Sequence, residues 1–218
     1  MSRTRFGAGI KSRPQFLPAD SCAGTSWYDP PVNADLRERG HLLVKGLIEP
    51  CLARVLYKTL LLKHWRGESF RDNHIPTASA VTDDATVDAL LLELVPRISE
   101  IVGFPLVPSY GYARVYFHGD AIVRHRDRPA CEISTSIHLG RHGGDSSLWF
   151  APNARVEMDE GDAAVYLGCE AEHWREPFNG NTMGQMFLHY VVAEGRFAQN
   201  SFDGRPNRFP PSISKARS

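Results

Sequence analysis

The stretch that decides the fold begins with YGYARVYFHGDAIVRHRDRPACEISTSIHL, residues 110–139. Apolar and polar side chains alternate along both ends of it, which is the period of half-buried β-strands. Five further short runs of this kind follow up to residue 192, separated by turns rich in Gly, Asp and Asn. Seven or eight short strands at this spacing predict an antiparallel sandwich or jelly roll.

Helical patterns precede these strands. A short apolar run at 41–48 predicts a strand, and leucines at helical spacing predict a helix over 50–65, with its proline in the first turn. A second helix follows Asp83 and Asp84 as caps, and Pro96 should bend or interrupt it. The sequence therefore predicts a mainly β domain whose core is buttressed by two N-terminal helices.

The two ends of the chain lack any sustained periodicity. Residues 1–36 mix Arg, Pro, Gly and Ser with isolated aromatics, and residues 196–218 carry an adjacent proline pair that excludes a helix or central strand. We expect an irregular arm and an irregular tail on the surface. Residues 37–195 then form one domain, which is long enough to bury a core without disulfides or metal staples.

Composition excludes several classes of protein. The 25 basic and 25 acidic residues give no net charge, which disfavours a general nucleic-acid binder because such proteins neutralise many phosphates. The four cysteines stand singly, so neither a zinc ribbon nor a disulfide scaffold is expected. No stretch approaches eighteen apolar residues and no secretory leader is visible. We expect a soluble cytoplasmic protein without a membrane segment.

Three residues have the chemistry of a metal site. His125 and Asp127 stand two apart at a strand end, so that both side chains should share a face, and His173 follows on a distant strand. Two histidines and one carboxylate leave one face of an octahedral metal open, as in the non-haem Fe(II) oxygenases that bind a co-substrate and O₂ there. The tripeptide H-x-D alone is weak, since a surface pairing of Asp127 with a neighbouring arginine would produce the same pattern.

The surrounding motifs strengthen this interpretation. The pattern Y-x-x-G-D-x-x-x-x-H-x-D spans residues 116–127, DEGDAAVYLG spans 159–168, and HWREPF spans 173–178. Together they resemble the Fe(II)- and 2-oxoglutarate-dependent dioxygenases, in particular the prolyl-4-hydroxylase-like branch, over roughly residues 41–193. The motifs are moderately specific as a set and insufficient one by one.

The resemblance implies a fold and a set of roles. The fold would be a double-stranded β-helix, a jelly roll with helices on its major sheet. His125, Asp127 and His173 would hold Fe(II), and the hydroxyl of Tyr116 would reach the co-substrate 2-oxoglutarate. The resemblance implies no catalytic residue beyond these metal ligands.

One departure from the family concerns the anchor of the co-substrate. The family usually places an Arg or Lys about ten residues after the distal histidine, to pair with the far carboxylate of 2-oxoglutarate, whereas the strand GQMFLHYVV carries no cation. Arg175 is the best substitute because it lies two residues after His173 and a guanidinium matches a carboxylate. Gln185 and His189 could assist by hydrogen bonds. Arg114 is the second candidate, for the co-substrate or for an anionic group of the substrate.

Two questions stay open at this stage. Arg175 could instead form a salt bridge with Glu172 or Glu176. Residues 66–82, a polar stretch between the predicted helices, are either a lid over the pocket or an ordinary connection.

The expected function is that of a dioxygenase using Fe(II), 2-oxoglutarate and O₂, and among these a hydroxylase of an amino acid, a peptidyl residue or another small molecule. A cupin-like metal-binding protein or isomerase that does not consume 2-oxoglutarate is the alternative, and the missing cation on the last strand keeps it open. A non-enzymatic interaction module with a decayed site is the third possibility. The sequence does not identify the substrate or the oligomeric state.

Overall fold

The computed structural model describes residues 33–71 and 74–210 of the 218-residue chain. Residues 1–32 of the predicted arm and residues 211–218 of the predicted tail lie outside the described part. The described part begins with a short helix whose cap is Asn33, because its side chain accepts hydrogen bonds from the backbone N–H groups of Asp35 and Leu36.

Two antiparallel sheets form the core and confirm the predicted jelly roll. The major sheet has seven strands, in the order β1 (His41–Val44), β9 (Ala163–Leu167), β6 (Ile133–His142), β11 (Thr182–Val192), β4 (Leu106–Phe117), β3 (Ser79–Thr82) and β2 (Phe70–Arg71). The minor sheet has four, in the order β5 (Ile122–His125), β10 (His173–Arg175), β7 (Leu148–Phe150) and β8 (Ala154–Val156). Apolar residues of both sheets, among them Phe150 and Tyr166, pack between them.

Helices cover the outer face of the major sheet. They are α1 (Ala34–Arg39), α2 (Pro50–Arg66), α3 (Ala85–Glu93) and α4 (Val95–Val102). The expected second helix is divided at Leu94, where Pro96 takes an early position of α4. Buried residues of α2, α3 and α4 share one core with the outward side of the major sheet. Among the described residues, no helix is both long enough and apolar enough to cross a bilayer.

The described residues of the segment 66–82 include two short strands. These are β2 and β3, which extend the major sheet through the pairing of β3 with β4. Between them, Ile75 packs in the cluster around Tyr116, and the hydroxyl of Thr77 donates a hydrogen bond to the buried carboxylate of Asp120. This side of the barrel is therefore covered by packed residues that sequence periodicity could not identify.

The C-terminal segment is irregular but packed. Residues Ala198–Gly204 form 3-10 turns, and Phe209 is buried in the core beneath the helices. Arg208 pairs with Asp83 and Asp88, at 3.0 and 2.7 Å. The tail is irregular, as expected, and residues 204–207 are exposed, whereas the side chains of Arg208 and Phe209 pack against the rest of the domain.

Candidate metal and co-substrate site

The three predicted metal ligands converge between the sheets. β5 ends at His125 and β10 begins at His173, and the pairing of these strands sets the two histidines opposite each other. Nε2 of His125 lies 3.6 Å and Nε2 of His173 lies 3.8 Å from Oδ1 of Asp127. Asp127 stands in the loop after β5, not on the strand as expected, and its backbone N–H donates to the carbonyl of Gly168 at 2.8 Å.

Backbone carbonyls orient both imidazoles. Nδ1 of His125 lies 2.8 Å from the carbonyl oxygen of Val123, and Nδ1 of His173 lies 2.9 Å from that of Ala171. Because a carbonyl only accepts, each Nδ1 must carry the hydrogen. The Nε2 lone pairs of both rings are then free to bind a metal, and their direction is fixed by the backbone.

The carboxylate of Asp127 is ionised at neutral pH. Burial alone raises its pKa, but the imidazoles of His173, His125 and His189 outweigh burial and lower that pKa to about 2. Its Oδ2 accepts a hydrogen bond from the hydroxyl of Ser134 at 2.7 Å, which leaves Oδ1 toward the two histidines. Two imidazoles and one carboxylate form the donor set typical of non-haem Fe(II) sites.

This metal end opens to solvent on one side. The side chain of His125 is 36% exposed, compared with 5% for His173 and 14% for Asp127. A metal and small ligands can therefore enter past His125.

A second polar cluster lies deeper between the sheets, around Arg175. The residue is 2% exposed, and its Nη1 donates to the carbonyls of Ser146 and Ser147 at 2.5 and 2.9 Å. Its Nε and Nη2 are buried and find no hydrogen-bond partner among the described residues. Nη1 also approaches the sulfur of Met183 at 4.0 Å, and Met183 is the residue ten positions after His173. The guanidinium thus reaches from β10 to the side chain of Met183 on β11.

The glutamates proposed as alternative partners of Arg175 are engaged elsewhere. Glu172 pairs with Arg124 at 3.4 Å, and Glu176 accepts a hydrogen bond from Trp174 at 2.8 Å. No carboxylate of the described residues lies within ion-pair distance of Arg175. Burial lowers the pKa of this guanidinium, as expected for a cation that has left water without a countercharge.

Tyr116 and Arg114 complete this arginine end. Tyr116 is fully buried, and its hydroxyl accepts a hydrogen bond from Nη1 of Arg114 at 3.1 Å. The guanidinium carbons of Arg114 and Arg175 each lie 5.4 Å from the centre of the Tyr116 ring. The hydroxyl therefore stands beside two cations, and its own hydrogen is available to donate to an anion.

The remaining two predicted residues lie apart from each other on β11. Gln185 contacts Nδ1 of His138 at 2.8 Å and accepts from the hydroxyl of Ser136 at 3.4 Å. Burial, with Arg141 and Arg175 nearby, lowers the pKa of His138 to about 3, so His138 is neutral. His189 is not part of the arginine end, because its Nδ1 lies 2.9 Å from the hydroxyl of Ser134 beside Asp127.

Sequence reasoning missed Ser134 and His138. In the run ISTSIHL, the residues Ile133, Ile137 and Leu139 pack in the core beneath the helices, so Ser134, Ser136 and His138 face the barrel interior. Strict alternation along β6 was the signal that could have found them.

Comparisons with known proteins define the fold. No family model matches the chain, and no curated protein matches it in sequence.

Among solved structures, a prolyl-4-hydroxylase of Pseudomonas putida matches at 18% identity and a TM-score of 0.56, covering 71% of this chain and 94% of that one. The viral collagen prolyl hydroxylase vCPH of Paramecium Bursaria Chlorella virus-1, solved as a 2-oxoglutarate complex, matches at 11% identity and a TM-score of 0.56, over 71% and 97% of the two chains. The non-haem alpha-ketoglutarate-dependent epimerase SnoN from nogalamycin biosynthesis matches at 14% identity and a TM-score of 0.63, over 73% and 79%. The chain shares the jelly-roll fold of solved 2-oxoglutarate- and Fe(II)-dependent oxygenases, the prolyl hydroxylases and the epimerase among them.

Proposed function

We propose that this protein is an Fe(II)- and 2-oxoglutarate-dependent oxygenase that hydroxylates an unactivated C–H bond of an amino acid, a peptidyl residue or another small molecule. The observation that carries the proposal is Arg175, a buried guanidinium with two unpartnered N–H groups, two residues beyond His173 of the metal cluster. A binding site for a metal and a binding site for a carboxylate then lie in one barrel. This combination suits a co-substrate that chelates the metal at one end and carries a carboxylate at the other.

The residues at the metal end fit a ferrous ion. His125, Asp127 and His173 would hold it through Nε2, Oδ1 and Nε2, and an Fe(II) bound there supplies the activation of O₂ coupled to oxidative decarboxylation of 2-oxoglutarate. The protein's own contribution is to fix both histidine tautomers and keep the carboxylate ionised. It also leaves an open path beside His125.

Arg175 and Tyr116 would bind the far carboxylate of 2-oxoglutarate. Nε and Nη2 of one guanidinium can donate together to both oxygens of a carboxylate, and the Tyr116 hydroxyl can add a third hydrogen bond. A charge-assisted hydrogen bond contributes roughly 1.5–3 kcal/mol, whereas an unsatisfied buried donor destabilises by about 1–3 kcal/mol. An anion at this place would offset that cost.

Aromatic side chains lie between the residues of the two ends, since the ring of Tyr112 is 5.8 Å from that of His189. Tyr112 stacks on Phe187 at 4.6 Å, and the guanidinium of Arg114 lies 5.4 Å from the centre of the Tyr112 ring. Such walls exclude water from the reacting centre and strengthen the electrostatic contacts within it.

The neighbours in structure act on proline residues or on a natural product, so the jelly roll itself does not select a substrate.

Hydroxylation is the outcome we favour among those open to this fold. The epimerase among the structural neighbours uses the same co-substrate for a different outcome. A cupin-like isomerase or metal-binding protein, the other candidate, would have no use for the unpartnered donors of Arg175.

The proposal is tested by turnover of 2-oxoglutarate with Fe(II) and ascorbate, measured as succinate. The wild type should form succinate and His173→Ala should not, while His142→Ala, an exposed histidine outside the site, should behave as the wild type. Equal succinate formation by the wild type and His173→Ala would overturn the proposal. No turnover by the wild type with a broad panel of amino acids and peptides, together with no binding of 2-oxoglutarate, would favour the cupin-like alternative.

A further inference from the structure

Behind the candidate metal ligand Asp127 lies a short chain of hydrogen bonds. The hydroxyl of Ser134 is 2.7 Å from Oδ2 of Asp127 and 2.9 Å from Nδ1 of His189. Ser134 is fully buried and His189 is 3% exposed. Neither residue is a metal ligand in the proposed function, yet both lie in a hydrogen-bonded chain that ends at Oδ2 of Asp127.

The hydrogens in this chain can be placed by elimination. Ser134 has a single hydroxyl hydrogen, and an ionised carboxylate is an acceptor only, so the hydroxyl donates to Oδ2. The carbonyl of Cys131 lies farther from this hydroxyl, at 3.1 Å. Nδ1 of His189 must then donate to the oxygen of Ser134. The direction of both hydrogen bonds is thus toward Asp127.

The same carboxylate oxygen is confined by the backbone. A Cβ on Gly168 would overlap the carbonyl oxygen of Cys131 and would lie 2.7 Å from Oδ2 of Asp127. Only glycine therefore allows the loop after β9 to approach this closely. His189 is held in turn by the ring of Tyr110, 4.6 Å away between centroids.

We propose that Ser134 and His189 are positioning residues that hold Oδ2 of Asp127 away from the metal, so that the carboxylate binds through Oδ1 alone. The inference rests on the proposed function. Its consequence concerns the number of coordination positions that stay free on the metal ion. An octahedral ion with two imidazoles and a monodentate carboxylate keeps three free positions, enough for a chelating 2-oxo acid and O₂, whereas a bidentate carboxylate would leave two.

A different interpretation of the same residues is a second metal site. One ligand atom each of Asp127, Cys131 and His189 also lie within 4.8 Å of one another. In the structure, however, the thiol of Cys131 contacts the hydroxyl of Tyr110 at 3.1 Å, and Oδ2 and Nδ1 are already bonded to Ser134. We therefore expect one metal ion per chain.

The test measures the binding of Co(II), which stands in for Fe(II), to the full chain. Calorimetry monitors this binding directly and requires no enzymatic turnover. Ser134→Ala should weaken Co(II) binding at least tenfold, because the carboxylate of Asp127 then loses its fixed orientation and must be ordered by the metal itself, which outweighs any bond that the released Oδ2 can add. Ser136→Ala, which removes the next inward hydroxyl of β6, should bind as the wild type. Equal affinities for the two variants, with unchanged thermal midpoints, would overturn the proposal.

Two substitutions of His189 separate positioning from packing. Asparagine carries an N–H close to the place of Nδ1 and should retain Co(II) affinity, whereas phenylalanine keeps the stacking on Tyr110 and should lose it. The opposite order would assign His189 a packing role and overturn the proposal for this residue. Binding of two Co(II) ions per wild-type chain would overturn it in favour of the second metal site.

These outcomes are distinct from failure of the proposed function. His173→Ala tests the ligand set itself, and undiminished Co(II) binding by that variant would contradict the metal site. If His173→Ala abolishes binding while Ser134→Ala leaves it unchanged, the proposed function stands and the positioning inference falls.

Discussion

The two ends of the barrel interior differ in how their polar groups are satisfied. At the metal end, Nδ1 of His125 and of His173 has a carbonyl partner, and Oδ2 of Asp127 has the hydroxyl of Ser134. At the arginine end, two N–H groups of Arg175 are buried without any partner. Among the described residues, the groups without a partner are therefore nitrogen and oxygen lone pairs at the metal end and N–H donors at the arginine end.

The difference indicates what each end is built to receive. Lone pairs from two imidazoles and a carboxylate suit a divalent cation, and the partners behind them fix its position before it binds. Unsatisfied donors on a buried guanidinium destabilise the free protein, and only a bound anion offsets this free-energy cost. A molecule with a metal-chelating group and a distant carboxylate satisfies both ends at once.

The largest effect should follow from damage to the metal end. We expect His125→Ala to abolish detectable Co(II) binding and succinate formation together, because a metal cannot be held at the open side by two ligands alone. The measurement is calorimetric titration beside the turnover assay, with His142→Ala as control. Retained metal binding with lost turnover would assign His125 to the substrate instead, and the comparison between the two ends would need revision.

A second effect concerns acid stability of the arginine end. His138 has a pKa of about 3 in the folded protein, lowered by burial and by Arg141 and Arg175, against an ordinary value of about 6.5 in the unfolded chain. Between these values only the unfolded chain binds the proton, so the free energy of unfolding falls as the pH falls below about 6.5.

This effect can be measured by urea unfolding at several pH values. Between pH 7 and pH 5, the free energy of unfolding should fall by up to about 2 kcal/mol more in the wild type than in His138→Gln. His142→Gln serves as the surface control. Parallel curves for the wild type and His138→Gln would mean that His138 is not held neutral by its surroundings.

A smaller effect is expected from the hydroxyl of Tyr116. Tyr116→Phe removes one hydrogen bond to the far carboxylate of 2-oxoglutarate, of about 1 kcal/mol, and should raise the KM for 2-oxoglutarate roughly fivefold without weakening Co(II) binding. A loss of Co(II) affinity in this variant would place Tyr116 at the metal end.

The convergence of these side chains could be predicted in part from the sequence, because strand periodicity is local. Motifs predict that His125, Asp127 and His173 meet, and the two-residue spacing of Arg175 to His173 predicts that both face the barrel interior, while their binding roles stay predictions. The position of His189 could not be predicted. Its neighbours Ser134 and Tyr110 come from strands that pair with β11 over long sequence distances, and local patterns do not encode that register.

The same limit explains the differences in the fold. β2 and β3 are short and lie in a polar stretch, so the pairing of β2 with β3 and of β3 with β4 left no periodic signal. Phe209 follows irregular backbone, and its burial depends on a groove formed by distant helices. Whether a polar atom is satisfied, as for Arg175, also depends on every element around it and is visible only in three dimensions.

The most direct test of the site is a comparison of two 2-oxo acids on two proteins. Binding of 2-oxoglutarate and of 2-oxobutanoate, which lacks the far carboxylate, is measured by calorimetry on the Co(II)-loaded wild type and on Arg175→Gln, with Arg155→Gln as a surface control. The wild type should bind 2-oxoglutarate at least tenfold more tightly than 2-oxobutanoate, and Arg175→Gln should lose this preference while binding 2-oxobutanoate as the wild type does. An undiminished preference in Arg175→Gln would contradict the assignment of the arginine end to the far carboxylate of 2-oxoglutarate.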